Sequence, residues 1–245
     1  LHRATGDFDS KTNNEMLDLR WTIPVARWSA LPAGATTPPE VKFIDPLVRR
    51  RLSTLSKMAL KVAHDCAADL ESVRLVFASR HGELRRTTSM LDDIVADQPV
   101  SPTAFSLSVL NAMTGIFGIA RGDRAPATAI SAGAETLGYA LLEAHAQYRA
   151  DPRTPVLMVY ADEPADQRYG AVDHEMPAGA LAILLDRDAP DRLECTAGPA
   201  LAGEPAPAHA TQGEALMHGL GARAAAAWQG LGRRWQWSLH AGGLQ

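Results

Sequence analysis

Residues Val100–Ala144 read VSPTAFSLSVLNAMTGIFGIARGDRAPATAISAGAETLGYALLEA. The run opens on Ser101-Pro102 and carries Asn111 with Gly115 four residues on. It begins extended over Thr103–Ala120 and turns helical through Asn111–Ile119. Gly122 and Ala125-Pro126 then break the chain. A short apolar strand, Ala127–Ser131, comes next. Ala132-Gly133-Ala134 makes a small-residue elbow into the long apolar helix Leu137–Arg149. The residue at the end of this elbow, at the N-terminus of the helix, is Ala134.

Outward from this segment, strands and helices alternate. Asp45-Pro46 opens an amphipathic helix whose apolar residues are Val48, Leu52, Leu55, Ala59, Val62, Cys66 and Leu70. Val73–Ala78 reads as a buried strand and Glu83–Ala96 as a helix. Val156–Tyr160, Gly179–Leu185 and Leu193–Thr196 read as strands. Trp21–Leu31 is a strand and turn, and Thr36-Thr37-Pro38-Pro39 a loop. Such alternation predicts an α/β layered domain. Residues 197–211, rich in Ala, Pro and Gly, read as a linker. Glu214–Leu231 reads as a last helix, before an aromatic tail at Trp235-Gln236-Trp237.

Composition narrows the function classes. Of 245 residues, 46% are hydrophobic and 21% charged, with a net charge of −4. Neither nucleic acid nor an anionic membrane is implied by that balance. Cys66 and Cys195 are the two cysteines. They form no CxxC or Cys/His cluster, so neither a zinc site nor a disulfide framework is expected. The eight histidines show no metal-ligand spacing. No apolar run approaches the roughly 18 residues of a membrane span. Residues 1–15 lack the apolar core of a signal peptide, and residues 1–20 are expected to form a disordered leader. A cytoplasmic location is expected in consequence.

Residues 100–144 resemble, without a gap, the segment of β-ketoacyl synthases that leads into the active-site cysteine. The family's Thr-Ala-Cys elbow is replaced here by Ala132-Gly133-Ala134. The helix from Arg49-Arg50-Arg51-Leu52-Ser53 to Met58-Ala59-Leu60, the run Ala78–Glu83 and Ser101–Val109 resemble a narrower group. These are the short β-ketoacyl synthase-like proteins of aryl polyene and xanthomonadin pigment clusters, similar to polyketide chain-length factors. The resemblance covers residues 45–196. It implies a thiolase-like layered fold, N-terminal half only, spanning 21–196, with 197–245 a linker, helix and tail. Ketosynthase catalytic histidines belong to the other half and have no matching positions.

The resemblance implies a non-catalytic subunit, with no cofactor, that pairs with a full-length ketosynthase acting on acyl carrier protein thioesters and shapes its acyl tunnel. It puts Thr87, Met90, Ala104, Phe105 and Met113 at the acyl channel and subunit interface. It makes Asn111, Gly115 and Gly133 supports of the elbow. Asn111 would bond backbone there, Gly115 would allow close helix packing, and Gly133 a tight approach. Arg80, Arg85 and Arg86 are candidates for docking the acidic carrier protein; Arg49-Arg50-Arg51 is a further basic cluster. Chain-length factors commonly carry Gln in place of the cysteine, and Ala134 departs from that too. Glu135 complements the helix dipole. Asp162-Glu163 is a like-charge pair at a strand end.

Two other functions remain open on the residues alone. One is an acyltransferase or hydrolase using Ser131 or Cys195, which would need a nearby histidine. The other is a homodimeric scaffold that binds the carrier protein.

Overall fold

Val156–Asp162 (β5) and Gly179–Leu185 (β6) are buried at every residue, the mark of strands covered on both faces. They lie at the centre of a five-stranded sheet of order β2-β6-β5-β3-β4. Its other strands are Arg27–Leu31 (β2), Arg74–Ala78 (β3) and Ala127–Ile130 (β4). β3 runs parallel to both β4 and β5; β6 runs antiparallel to β5 and β2. β4 pairs with β3 alone and is a sheet edge. The computed structural model describes residues 18–32, 34, 37, 39–200 and 207–242.

A second sheet has the order β1-β7-β9-β8 and is antiparallel throughout. Its strands are Leu19–Val25 (β1), Asp191–Pro199 (β7), Ala226–Gly230 (β8) and Arg233–Ala241 (β9). β1 begins at Leu19, so residues 19 and 20 of the expected leader are strand; residues 1–17 lie outside the described residues, as do Thr36 and Pro38 of the expected loop. The C-terminal reading also needs correction. The last helix is Gln212–Ala222 (α7), ended by Arg223 in a left-handed conformation. Beyond Arg223 the chain forms a hairpin, not a continued helix and a tail. Leu231 and Gly232, both at positive φ, form its two-residue turn. Trp228, Trp235 and Trp237 are almost wholly buried, and β9 lies inside the sheet.

Helices fill two further layers. Thr54–Ala67 (α2) covers β2, β5 and β6 on the outer face of the first sheet, beside Ala112–Arg121 (α5). Thr136–Ala150 (α6) and α7 lie between the two sheets. The amphipathic run from Asp45 is two helices rather than one. Asp45 caps the turn Pro46–Arg49 (α1) by accepting from the Leu47 and Val48 amides, and Ser53 caps α2 by accepting from Ser56. Leu84–Val95 (α3) and Pro102–Ser106 (α4) complete the helices.

Two apolar cores result. The inner one, between the sheets, holds Ile23, Val76, Leu141, Ile183, Cys195 and the buried tryptophans. The outer one, under α2 and α5, holds Leu55, Cys66, Phe77, Met113 and Phe117. The far face of the second sheet carries Arg20, Thr22, Glu194, Thr196, Gln236, Ser238 and His240, none of them buried. A polar outer face of this kind is compatible with water and needs no further layer over it.

Candidate functional site

The elbow is built by its neighbours. Beyond β4, Gly133 takes φ +59, and a Cβ built there meets nothing within 4 Å. Conformation, not a tight approach, is the reason for glycine there. Thr136 is buried and pins the turn. Its Oγ1 accepts from the Ala132 amide at 2.9 Å and donates to the Gly133 carbonyl at 2.7 Å. Ala134 is half-buried and packs on the inner core. Glu135, just ahead of α6, accepts from Trp235 Nε1 at 2.7 Å and lies 3.8 Å from Arg233 Nε. Its carboxylate therefore ties the elbow to β9.

The alternative nucleophiles are each engaged elsewhere. Ser131 is exposed and donates to the Arg80 carbonyl at 3.0 Å. Cys195 contacts the Leu193 carbonyl in the core, and burial pushes its thiol well up. Cys66 is buried as well, its thiol pushed up to about 12. Neither thiol is ionised near neutral pH, and a thiol must ionise to attack. Among the described residues no histidine bonds to Ser131 or to either cysteine. His174 Nδ1 lies 3.2 Å from the Ala210 carbonyl, and His64 stacks on Phe43. His81 Nε2 stands 3.0 Å from Glu175 Oε1, without the angle of a hydrogen bond.

A buried set of acids sits beside the elbow. Asp162, at the end of β5, accepts from Ser79 Oγ at 3.1 Å and from the Arg80 and His81 amides at 2.9 and 3.2 Å. Burial pushes its carboxyl up, and these donors pull the other way. Glu83 accepts from Ser53 and Ser56 Oγ, each at 2.6 Å. Burial also raises Glu163, against the pull of Arg85. The sequence pattern marks the Asp162-Glu163 pair but gives no sign of Glu83.

Five of the residues singled out from sequence line one cleft of about 370 Å³: Arg85, Arg86, Met90, Ala104 and Glu163, together with Ser53. Thr87, one turn before Met90, is half-buried and donates to the Glu83 carbonyl at 3.3 Å. Phe105 points away, 66% exposed. Met113 is a core residue under α2 and α5, which corrects its assignment to the channel. Asn111 is exposed and its side chain makes no cap to α5, against the expected backbone bond. Gly115 faces open space rather than a packed helix.

The docking arginines divide. Arg80 donates to the Asp173 and His174 carbonyls at 2.7 and 3.2 Å, a structural tie that removes it from docking. Arg86 donates to the Arg51 carbonyl at 3.0 Å and lies 3.4 Å from Glu83. Only the side chain of Arg85, 71% exposed, stays open to solvent among the three. A separate concavity of about 410 Å³ gathers Lys42, Arg49, Arg50 and Lys57 around Glu40. The described residues include no cluster of three His, Cys, Asp or Glu fit to hold a metal. No described helix is long and apolar enough to cross a membrane.

α5, which contacts β4, exposes Ile119 at 83%, and Val109 is 47% exposed. The α3 helix presents Leu91, Ile94 and Val95 outward. Along β4 and α6, Ile130, Ser131, Ala132, Tyr139 and Leu142 line a hollow of about 400 Å³.

The family model for the β-ketoacyl synthase N-terminal domain matches residues 25–238. The chain belongs to that family. This match extends beyond the 45–196 read from sequence and takes in the β8–β9 hairpin. Among solved structures, this ketosynthase-like chain is similar to a chain in the complex of a ketosynthase (ApeO) with its chain length factor (ApeC) from Xenorhabdus doucetiae. That likeness has 25% identity and a TM-score of 0.73, over 89% of this chain and 99% of that one. The ishigamide ketosynthase/chain length factor is similar at 15% identity and a TM-score of 0.52, over 70% of this chain and 65% of that one. Ketosynthase twelve of the bacillaene polyketide synthase from Bacillus amyloliquefaciens is similar at 12% identity and a TM-score of 0.50, over 75% and 46%. These two show the thiolase-like fold. Among curated proteins nothing matches.

Proposed function

We propose that this chain is a non-catalytic, chain-length-factor-like subunit. It pairs with a full-length β-ketoacyl synthase and shapes the tunnel that holds the growing acyl chain. The observation that carries this reading is Ala134. The elbow, its glycine turn and its threonine pin are kept, while the position that would attack a thioester holds a methyl group. Glu135 is spent on Trp235 and supplies no replacement.

The unpaired edge of β4, with Ile119 exposed on the neighbouring α5, supports a partner on that side. The similarity over 89% of its length to a chain from a ketosynthase/chain length factor complex supports a ketosynthase as that partner. Arg85 and the basic concavity at Arg49 and Arg50 suit an acidic acyl carrier protein. The pathway is then cytoplasmic polyene synthesis of the type II polyketide kind, aryl polyene or xanthomonadin pigment included.

The test is co-expression with the ketosynthase, then size exclusion and intact-mass analysis after incubation with acyl carrier protein thioesters. Co-elution as a heterodimer is expected, with the acyl adduct on the ketosynthase alone. A turning-over adduct on Ser131 or Cys195 of the isolated chain overturns the reading. So does a stable homodimer that ignores the ketosynthase.

A further inference from the structure

One flank of α6 is uncovered where the first sheet stops. Leu137, Ala140, Leu141 and Ala144 of this helix are buried between the sheets. Tyr139, Leu142, Glu143 and Ala146 are not buried, and their spacing of i, i+3, i+4 and i+7 sets them in one stripe. With Ile130 they line the hollow of about 400 Å³ beside the free edge of β4. Gln147 closes one end by donating to Glu143 at 2.8 Å and to Thr128 at 3.2 Å. Tyr139 stands edge-on to Trp235 at 5.2 Å, which fixes a wall of the hollow.

The edge itself says what can cover the stripe. The Pro126 and Ile130 carbonyls accept from the Leu75 and Ser79 amides of the β3 side at 3.1 and 3.2 Å. Alternation along β4 then turns the N–H and C=O groups of Ala127 and Ala129 away from β3, to the open side. An extended strand is the element that satisfies such a row. Thr128 bonds to Gln147 of α6 and Ile130 packs on the inner core, so both face α6, whereas Ala129 faces the outer core. Side chains opposite one another in a sheet share a face, so a guest strand points the residues level with Thr128 and Ile130 over the hollow. A β4 strand from a second copy of this chain would offer only Thr128 and Ile130 themselves, both short. An aromatic ring reaches further and buries more apolar surface.

We infer that the hollow between β4 and α6 anchors the heterodimer: a strand of the ketosynthase adds to the β4 edge and seats one aromatic side chain against Tyr139, Leu142 and Ala146. This rests on the pairing proposed above and adds to it the anchoring residues and the kind of residue they receive.

The experiment uses the purified complex of this chain with its ketosynthase. Ala146→Trp fills the hollow from within. Residue 146 is exposed, so the isolated variant is expected to keep the parent's Tm. Its Kd for the ketosynthase is expected to rise at least about thirtyfold, the size of a hot-spot loss. Leu142→Ala removes a wall and is expected to raise Kd about tenfold. In the parent complex, hydrogen exchange at the Ala127 and Ala129 amides is expected to slow at least about tenfold. A benzophenone amino acid in place of Tyr139 is expected to capture the ketosynthase at an aromatic residue of one of its strands. Capture of a second copy of this chain, or of the ketosynthase at a residue of another kind, overturns the inference. Unslowed exchange at both amides overturns it as well, as does a Kd for Ala146→Trp within about threefold of the parent's. Should Ala146→Trp lower the Tm, Leu142→Ala decides on the same terms. The two levels separate cleanly. A parent complex that forms and ignores both substitutions removes only the anchor, whereas a parent chain that never binds the ketosynthase removes the pairing.

Discussion

Gly138 gives the sharpest test of how the C-terminal hairpin is seated. It lies in the first turns of α6, and a Cβ built on it falls 2.3 Å from Trp235 Cζ3, with two further ring atoms at 2.5 and 2.6 Å. Elsewhere in helices, Gly→Ala stabilises by up to about 1 kcal/mol. Here the methyl has nowhere to go. The Trp235 ring is held edge-on by Trp21 at 6.1 Å and Tyr139 at 5.2 Å, and its Nε1 is bonded to Glu135. Overpacking at the upper end of its usual range, about 3 kcal/mol, less the helix gain, leaves Gly138→Ala destabilised by about 2 kcal/mol. For a chain of this size that lowers Tm by roughly 4–8 °C. Gly115→Ala is the control, since its Cβ meets open space on an exposed turn of α5. It is expected to stabilise the isolated chain by up to about 1 kcal/mol. Urea unfolding monitored by tryptophan fluorescence reads both. A Gly138→Ala protein as stable as the parent would mean that Trp235 is not packed on α6, and the place of β9 in the sheet would have to be given up.

Four further outcomes are expected. Ala134→Cys, assayed without a ketosynthase, should show no condensation, because a thiol without histidines to polarise the thioester lacks the acid–base half of the reaction; condensing activity in that variant refutes the non-catalytic reading. Ala129→Asp puts a charge on the β4 edge, opposite Phe77 in register, and should abolish co-elution with the ketosynthase at a cost of about 3–5 kcal/mol; unchanged co-elution moves the interface elsewhere. Ala104→Phe fills the cleft beside Met90 and should shorten the product with the heterodimer intact, as pigment absorbance would report. Asp162 has a folded-state pKa raised mainly by burial, so the folded protein holds its proton more tightly than the unfolded chain does. Stability should therefore fall as pH rises from the ordinary carboxylate range through the raised value, and urea midpoints of Asp162→Asn should lose that slope.

How much of the fold is legible in the sequence depends on which forces are local. β3, β5 and β6 are visible because runs such as Gly179–Leu185 are apolar at every position, a pattern that only a doubly covered strand sustains. The C-terminal hairpin is hidden for the opposite reason. Ala-rich residues 222–227 continue the helical composition of α7, and alanine is the best helix former. Tertiary packing decides otherwise. A Cβ built on Gly219 would fall 2.8 Å from Ala226 Cβ, so only glycine lets the chain return this close, and Arg223 turns left-handed to bring it there. One signal is present: Trp235, Trp237 and Leu239 alternate with Gln236 and Ser238, the period of a half-buried strand.

The site is harder to foresee because long side chains choose their partners across the fold. Arg80 and Arg86 look like any basic cluster in sequence, yet their guanidinium groups meet carbonyls of residues 173, 174 and 51. Arg80 in particular links two levels of structure. Its carbonyl accepts from Ser131 at the elbow, its amide donates to Asp162, and its guanidinium holds the loop that carries His174. On the other side of the elbow, Glu135 reaches Trp235 in β9. The elbow is thus clamped from both sheets although Ala134 places no nucleophile there. Keeping that geometry makes physical sense where the elbow's outer face is a surface to be matched by a partner. The ketosynthase partner proposed above would read the shape of the β4 edge and its turn, and shape survives the presence of a methyl group at Ala134.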